Sequence, residues 1–281
     1  MLRFRNIRVR SLLPDYMEVS WVVESVFEDV LDYDLRVQRS ESPEGPFDYL
    51  TDSFTDKYLF IDSRVDTTTR KHRKWWYRVE QTKRSTSQVE YTEAATRGPR
   101  PDLIAMELRR QAMLRYKKIS GRQCWLFPLR TFGQRCGTCY DRVTGERTSD
   151  RCPTCYNTTF ARGYLDPVET WVQFEPTSTS VAIDIRRRED PQLVVAHMGY
   201  YPEPKTGDLL VEPENRRWVV KSAHPAERLR APVRYDIQLV ESALGSAEHD
   251  VPVKFDQLHQ TDFANPFLFQ PSRCLGEAVG W

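Results

Sequence analysis

The stretch Arg135–Phe160, RCGTCYDRVTGERTSDRCPTCYNTTF, contains its own near-repeat. Cys136-Gly-Thr-Cys139-Tyr-Asp141 is echoed by Cys152-Pro-Thr-Cys155-Tyr-Asn157, which gives the spacing C-x2-C-x12-C-x2-C. A C-x2-C pair can turn two sulfurs toward one point. Two such hooks supply the four thiolates of a tetrahedral Zn²⁺, whose metal–sulfur bonds of about 2.3 Å short hooks satisfy and scattered cysteines do not. The expected ligands are therefore Cys136, Cys139, Cys152 and Cys155, holding structural zinc in a ribbon over 121–167. Two disulfides, local or crossed, are the competing pairing, and redox chemistry by Cys-Pro-Thr-Cys is a third. A reducing compartment speaks against the disulfides, and the lack of a βαβ context speaks against redox work.

Asp141 and Asn157 follow the hooks at the same offset, and both residue types tolerate the left-handed backbone that turns amides back toward sulfur. Thr144-Gly145 belongs at a hairpin tip. Four thiolates around Zn²⁺ leave a charge of about −2, which Arg135, Arg142, Arg147 and Arg151 are close enough in sequence to offset. A closed four-cysteine shell offers zinc no position for water, so the metal is expected to replace a core rather than to do chemistry. Cys124 and Cys274 have no partners at ligand spacing and read as small buried side chains.

Outward from the cysteines, a helix is expected over 102–118. Asp102 caps it, Ile104, Leu108, Ala112 and Tyr116 fall on one face, Glu107, Arg109, Arg110, Arg115 and Lys118 are solvated, and Ser120-Gly121 stops it. Beyond the ribbon, TWVQFEP, SVAIDIRR, QLVVAHM, GDLLVEP, RRWVVKSA and VRYDIQLVE predict five or six short strands. They read as a small antiparallel barrel, or a sandwich, over 168–245, with turns at Gly207-Asp208 and Glu214-Asn215. Residues 246–281 carry Phe255, Phe263, Phe267, Phe269 and Trp281 without clear periodicity. They read as an extended arm that packs on its own body or on a neighbour.

Before the helix, a linker at 97–101 follows a β-rich region. Met17, Val19, Trp21 and Val23 alternate with Glu18, Ser20, Val22 and Glu24, the period of a half-buried strand. YDLRVQRS, PFDYLT, KYLFIDSR, KWWYRVEQ and SQVEYTE follow, so residues 1–96 read as a β-sandwich. This part resembles a fibronectin type III domain, with Trp21 as the core tryptophan of the second strand and Tyr77 as the aromatic of the penultimate one. The fold class is mainly β: sandwich, linking helix, four-cysteine ribbon, small barrel, arm.

Composition bounds the function. The chain of 281 residues is 40% hydrophobic and 29% charged, with a net charge of +1. No global attraction to nucleic acid or anionic lipid is expected, and no apolar run reaches the roughly 18 residues that span a bilayer. The opening MLRFRNIRVRS lacks a secretory core, so synthesis in the cytoplasm is expected. The histidines His72, His197, His224, His249 and His259 are scattered, and no nucleophile elbow, phosphate loop or dinucleotide fingerprint occurs. Basic RKHRKWW (70–76) reads as a loop entering a strand. Asp184, Arg186, Arg187, Arg188, Glu189 and Asp190 read as solvated charge at a strand end. No enzyme is expected.

CYDRVTG (139–145), CPTCYNTTFARGYLDP (152–167) and GDLLVEPENRRWVV (207–220) carry a second resemblance. With the preceding helix, residues 101–245 resemble neck or head-to-tail connector proteins of tailed bacteriophages. Those proteins commonly have glycine at the positions of Asn157 and Thr159. The resemblance implies a virion component assembled in the host cytoplasm, a zinc-stabilised subunit of a homo-oligomeric ring around the DNA channel. Its expected neighbours are other neck, portal, adaptor or tail proteins, with DNA near by and neither membrane nor small-molecule substrate. A nucleic-acid-binding zinc ribbon is the alternative.

Overall fold

The computed structural model describes residues 2–13, 16–24, 29–63, 65, 74–97, 102–149, 151–175, 193–243 and 245–253. The segments around Asp184 and Arg186–Arg188, His72, His259, Cys274 and the aromatic part of the expected arm lie outside them. Among the described residues no helix is long and apolar enough to cross a membrane.

The amino-terminal unit holds β1 (Arg3–Leu13), β2 (Tyr16–Glu24), β3 (Tyr33–Ser40), β4 (Asp48–Tyr49), β5 (Leu59–Asp62), β6 (Trp76–Lys83), β7 (Val89–Tyr91) and β8 (Ala95–Thr96). One sheet has the order β1-β2-β5; the other is β4-β3-β6-β7, with β8 also on β6. The period-two pattern of β2 works as expected, since Met17, Val19, Trp21 and Val23 are all buried. They meet Tyr33, Leu35, Val37, Tyr77 and Val79 of the facing sheet in one apolar cluster. Trp21 stacks on Phe54 at 5.9 Å between centroids. The Tyr77 hydroxyl donates to Asp62 at 2.9 Å, and Arg39 reaches the same carboxylate at 2.7 Å, whereas the buried Trp21 Nε1–H finds no partner among the described residues.

Helix α1 (Leu103–Arg115) begins at Asp102, whose carboxylate accepts the Ile104 amide at 3.0 Å, and ends in a wider turn over Tyr116–Ser120. Its buried face is not the expected one. Ala105, Met106, Arg109, Met113 and Tyr116 point inward, while Ile104 and Leu108 are exposed. The sequence carries apolar groups around much of the helix, so spacing alone did not fix its rotation. Arg109, expected in water, is buried instead. Its guanidinium donates to the carbonyls of Pro232 (2.7 Å), Ser11 and Leu12 (3.3 Å each) and lies 4.3 Å from the Tyr200 ring centroid.

The barrel is closed and antiparallel, in the order β10-β11-β14-β13-β12-β9. Its strands are β9 (Arg122–Phe127), β10 (Val168–Phe174), β11 (Leu193–Gly199), β12 (Leu209–Val211), β13 (Arg217–Arg228) and β14 (Ala231–Glu241). Here the expected boundaries need correction. The barrel does not start at 168, because residues 122–127 form one of its strands and pair with β10 from Leu126↔Val168 to Arg122↔Val172. The ribbon is thus an insertion between the first two barrel strands. The run Cys124–Phe127 is buried throughout, so it shows no alternation to mark it as a strand.

Cys124 and Leu126 face the barrel interior with Val172, Met198, Leu210, Val220, Ile237 and Leu239. Leu12 and Leu13 of β1 and Met113 of α1 belong to this same core. The sandwich and the barrel are therefore not independent globules. Gly199 admits the helix: a methyl group there would lie 1.8 Å from the Met113 sulfur. Trp125 and Phe127 face outward into a second cluster with Tyr164, Leu209, Val211 and Val251. The start of the expected arm is part of it. Residues 247–250 form a short 3-10 turn, and buried Arg217 holds the carbonyls of Glu248 (2.7 Å) and Val251 (2.9 Å). Residues 246–253 are thus packed on the body and not extended.

Candidate metal centre

The ladder between β9 and β10 runs on beyond the barrel and carries the cysteines. Leu165 N–H donates to Pro128 (2.9 Å), Arg130 to Gly163 (3.0 Å), Ala161 to Gln134 (2.9 Å) and Cys136 to Thr159 (2.9 Å). At the end of this ladder Cys136, Cys139, Cys152 and Cys155 converge, all buried, with their sulfurs within 4.8 Å of one another. All are free thiols. Cys136 and Cys152 are 3.8 Å apart, and Cys139 and Cys155 are 3.2 Å apart. Four sulfurs at the corners of a tetrahedron with about 2.3 Å to its centre stand about 3.8 Å from each other. A disulfide would need about 2.05 Å. The four groups fit one shared ion, and the spacing in the sequence found all four.

The two hooks differ in backbone. In the first, Asp141 is not left-handed. Its carboxylate instead accepts Val143 N–H (2.8 Å) and Thr144 Oγ1–H (3.1 Å), and its carbonyl accepts Gly145 N–H (2.9 Å), closing the hairpin tip. In the second hook Tyr156 (φ 49°), Asn157 (66°) and Thr159 (66°) are all left-handed. The equivalence expected for Asp141 and Asn157 fails because only the second hook must turn back sharply into β10. Asn157 and Thr159 therefore both hold a backbone conformation in which glycine is the unstrained residue. Gly163 (φ 66°) is tighter still, since a Cβ there would sit 2.6 Å from the Cys155 carbonyl oxygen.

Burial raises the Cys152 thiol, but the amides of Thr154 and Cys155 aimed at its sulfur, with the neighbouring thiols, outweigh this and bring it down to about 6. Burial pushes Cys139 and Cys155 up. An incoming cation must displace the protons of the thiols that burial holds up.

Two of the arginines near the hooks make contacts within the chain. Arg135 lies over Tyr140 (4.8 Å) and Phe160 (4.0 Å) and donates to Thr159 Oγ1 at 2.8 Å. Arg151 grips Asp250 at 2.7 Å. Two arginines that the sequence did not single out brace the base. Buried Arg130 forms a two-pronged bond with Asp56 (3.0 and 2.8 Å), and Arg162 reaches the same carboxylate from the other side of the ladder. Asp56 belongs to the sandwich, as does the apolar cluster against which Phe132 packs.

The chain matches no protein-family model and no curated protein sequence.

The remaining candidates do not join the centre. Cys124 is buried in the barrel core, where burial pushes its thiol up. His197 lies on β11 between Asp236 and Glu175, 2.7 Å from each. The carboxylates lie on opposite ring nitrogens, so the three cannot share one ion. Two buried carboxylates escaped notice in GDLLVEPENRRWVV. Asp208 accepts the Leu129 and Lys205 amides (2.8 and 2.7 Å), and Glu212 accepts Trp218 Nε1–H at 2.6 Å and Arg122 at 3.1 Å. An acidic residue beside an apolar pair was the available signal.

Proposed function

We propose that this chain is a structural protein of a tailed-bacteriophage virion, a subunit of a ring in the neck that joins capsid to tail around the DNA channel, and that its centre holds zinc. One observation carries the reading: a closed barrel is interrupted between its first two strands by a four-thiol knuckle. Four converging thiolates are the donor set that suits zinc, and a complete sulfur shell gives a substrate nowhere to bind. The ion's contribution is local folding, worth on the order of 10 kcal/mol of apparent binding free energy. The order of parts, helix, strand, knuckle and barrel, supports the resemblance carried by CYDRVTG and GDLLVEPENRRWVV. The two-sheet order of the amino-terminal unit, with Trp21 and Tyr77 in one core, supports its fibronectin type III-like reading.

The role is mechanical. A ring needs heterologous contacts between identical subunits, and a shape braced at several points serves that better than a flexible one. Of the arginines around the hooks, Arg135 and Arg151 are engaged within the chain, while Arg142 and Arg147 are exposed. Washed virions should contain the protein at a fixed ring-like copy number, with one zinc per chain by elemental analysis. Its absence from washed particles ends the neck reading. Tight, strongly salt-dependent binding of duplex DNA by the isolated protein would favour the nucleic-acid reading instead.

A further inference from the structure

The outer face of the sheet β4-β3-β6-β7 carries a polar relay among exposed aromatic rings. Since Leu35, Val37, Tyr77 and Val79 point into the core, alternation places Arg36 and Gln38 of β3 and Arg78 and Glu80 of β6 on the outer face. Arg78 Nε–H donates to Gln38 Oε1 at 2.6 Å, and Gln38 Nε2–H donates to Glu80 Oε2 at 2.9 Å. The Tyr49 hydroxyl donates to the same Glu80 oxygen at 2.9 Å. Gln38 and Glu80 are 2% and 3% exposed, so the relay is fixed from below. Phe47 and Tyr91 flank the Arg78 guanidinium, with ring centroids 3.9 and 4.2 Å from its central carbon. Its Nη1 and Nη2 donors meet no acceptor among the described residues.

We infer that this face is a carboxylate-binding site for an extended acidic segment of a partner protein, with Arg78 and Arg36 each taking one carboxylate. The Nη pair of Arg78 is a planar fork, the geometry that grips a carboxylate through two parallel bonds. The rings and Gln38 already restrict its rotamers, so little freedom remains to be lost on binding. Charge points to the same ligand. Glu80 is engaged by Gln38 and Tyr49, and Asp34, the next carboxylate along β3, pairs with Arg84 at 2.6 Å. Arg36 lies over the Tyr49 ring and approaches Glu80 only to 3.8 Å, with 45% of its side chain exposed. Spacing selects a peptide. Arg36 stands opposite Glu80 and Gln38 opposite Arg78, so the two arginines are diagonal neighbours across the ladder. Such positions lie roughly 7–8 Å apart, and side chains i and i+2 of an extended chain share one side about 7 Å apart. Exposed Tyr49 (56%), Tyr91 (51%) and Val89 (44%) surround the pair with the ring and aliphatic surface that protein interfaces use. The site stands whether or not the chain is a neck subunit.

The test uses the full chain with isotopically labelled arginine and the peptide acetyl-Gly-Glu-Gly-Glu-Gly-amide. In magnetic-resonance titrations the Nε–H signals of Arg36 and Arg78 should shift and saturate, and the same peptide with both glutamates replaced by glutamine should leave them in place. Arg78→Lys keeps the charge but loses the fork, and should weaken binding at least about five-fold. Arg36→Gln, at an exposed position that leaves the relay intact, should weaken it at least about two-fold. Absence of a saturable shift in the folded protein would overturn the site. Tighter binding of glucuronate or inorganic phosphate than of the peptide would overturn the choice of ligand. Shifts of both signals that grow with protein concentration before any peptide is added would assign the face to a second copy and overturn the partner.

Discussion

At the scale of single residues, the tightest requirement lies behind the second hook. Gly163→Ala would place a methyl group against the Cys155 carbonyl and force a left-handed alanine. It should cost at least about 2 kcal/mol and weaken metal binding, because the displaced carbonyl belongs to a ligand. Gly137→Ala, in open space within the first hook, is the control and should be close to neutral. Denaturant midpoints and competitive zinc titration would separate the two. A second residue-scale prediction concerns Asp208, whose carboxyl burial raises to about 6 against the opposing pull of the Leu129 and Lys205 amides. Because the folded pKa lies above the unfolded one, the native state takes up a proton first. Stability from this group is therefore present at low pH and lost as pH rises through about 6. The contribution of this group to unfolding free energy should increase by about 2 kcal/mol as pH falls from 7 to 4. The increase should vanish in Asp208→Asn, and a carboxyl resonance titrating below 4.5 would refute the assignment.

At the scale of elements, the helix is fixed by polar contacts as much as by apolar ones. Arg109 ties α1 to β1 and β14 through three carbonyls, so Arg109→Leu should destabilise by roughly 2–4 kcal/mol, since those acceptors would be left buried without a donor. Urea unfolding would measure this. An unchanged midpoint would mean that water replaces the guanidinium. The expected stripe Ile104, Leu108, Ala112, Tyr116 was a fair reading of spacing, but only Tyr116 is buried and Ala112 half-buried, because the inner face is shared with Arg109, whose guanidinium meets three carbonyls. The strand pattern of β2 was legible for the opposite reason: one face is apolar core, while the other carries Val22 and Glu24 in solvent and Glu18 buried beside Arg10, so alternation appears in the letters. β9 is covered on both sides and shows none.

At the scale of the whole molecule, the knuckle, sandwich and barrel are coupled but unequal. Cys152→Ser should lose the metal and remove amide-exchange protection from about 134 to 161, the part whose core is four sulfurs. The sandwich and barrel should keep their protection and unfold together, because Leu12, Leu13 and Met113 share the barrel core. A full equivalent of zinc in the mutant would refute four-thiolate binding. Separate melting of sandwich and barrel would refute the shared core. The ligand set was readable from spacing alone, whereas Asp56, about eighty residues before the first hook, has no sequence signal that pairs it with Arg130 and Arg162.

The sequence by itself determined the four clustered cysteines, the β-rich character of both large units and the capped helix start. These depend on short-range geometry: hook spacing, a period of two, and a side chain bonding its own backbone two residues on. The tertiary structure alone decided that the ribbon interrupts the barrel, which face of α1 is buried, and which arginines leave the solvent. Those outcomes depend on what lies across a gap in space, and distant residues compete for the same core, carbonyls and carboxylates only once the chain has closed.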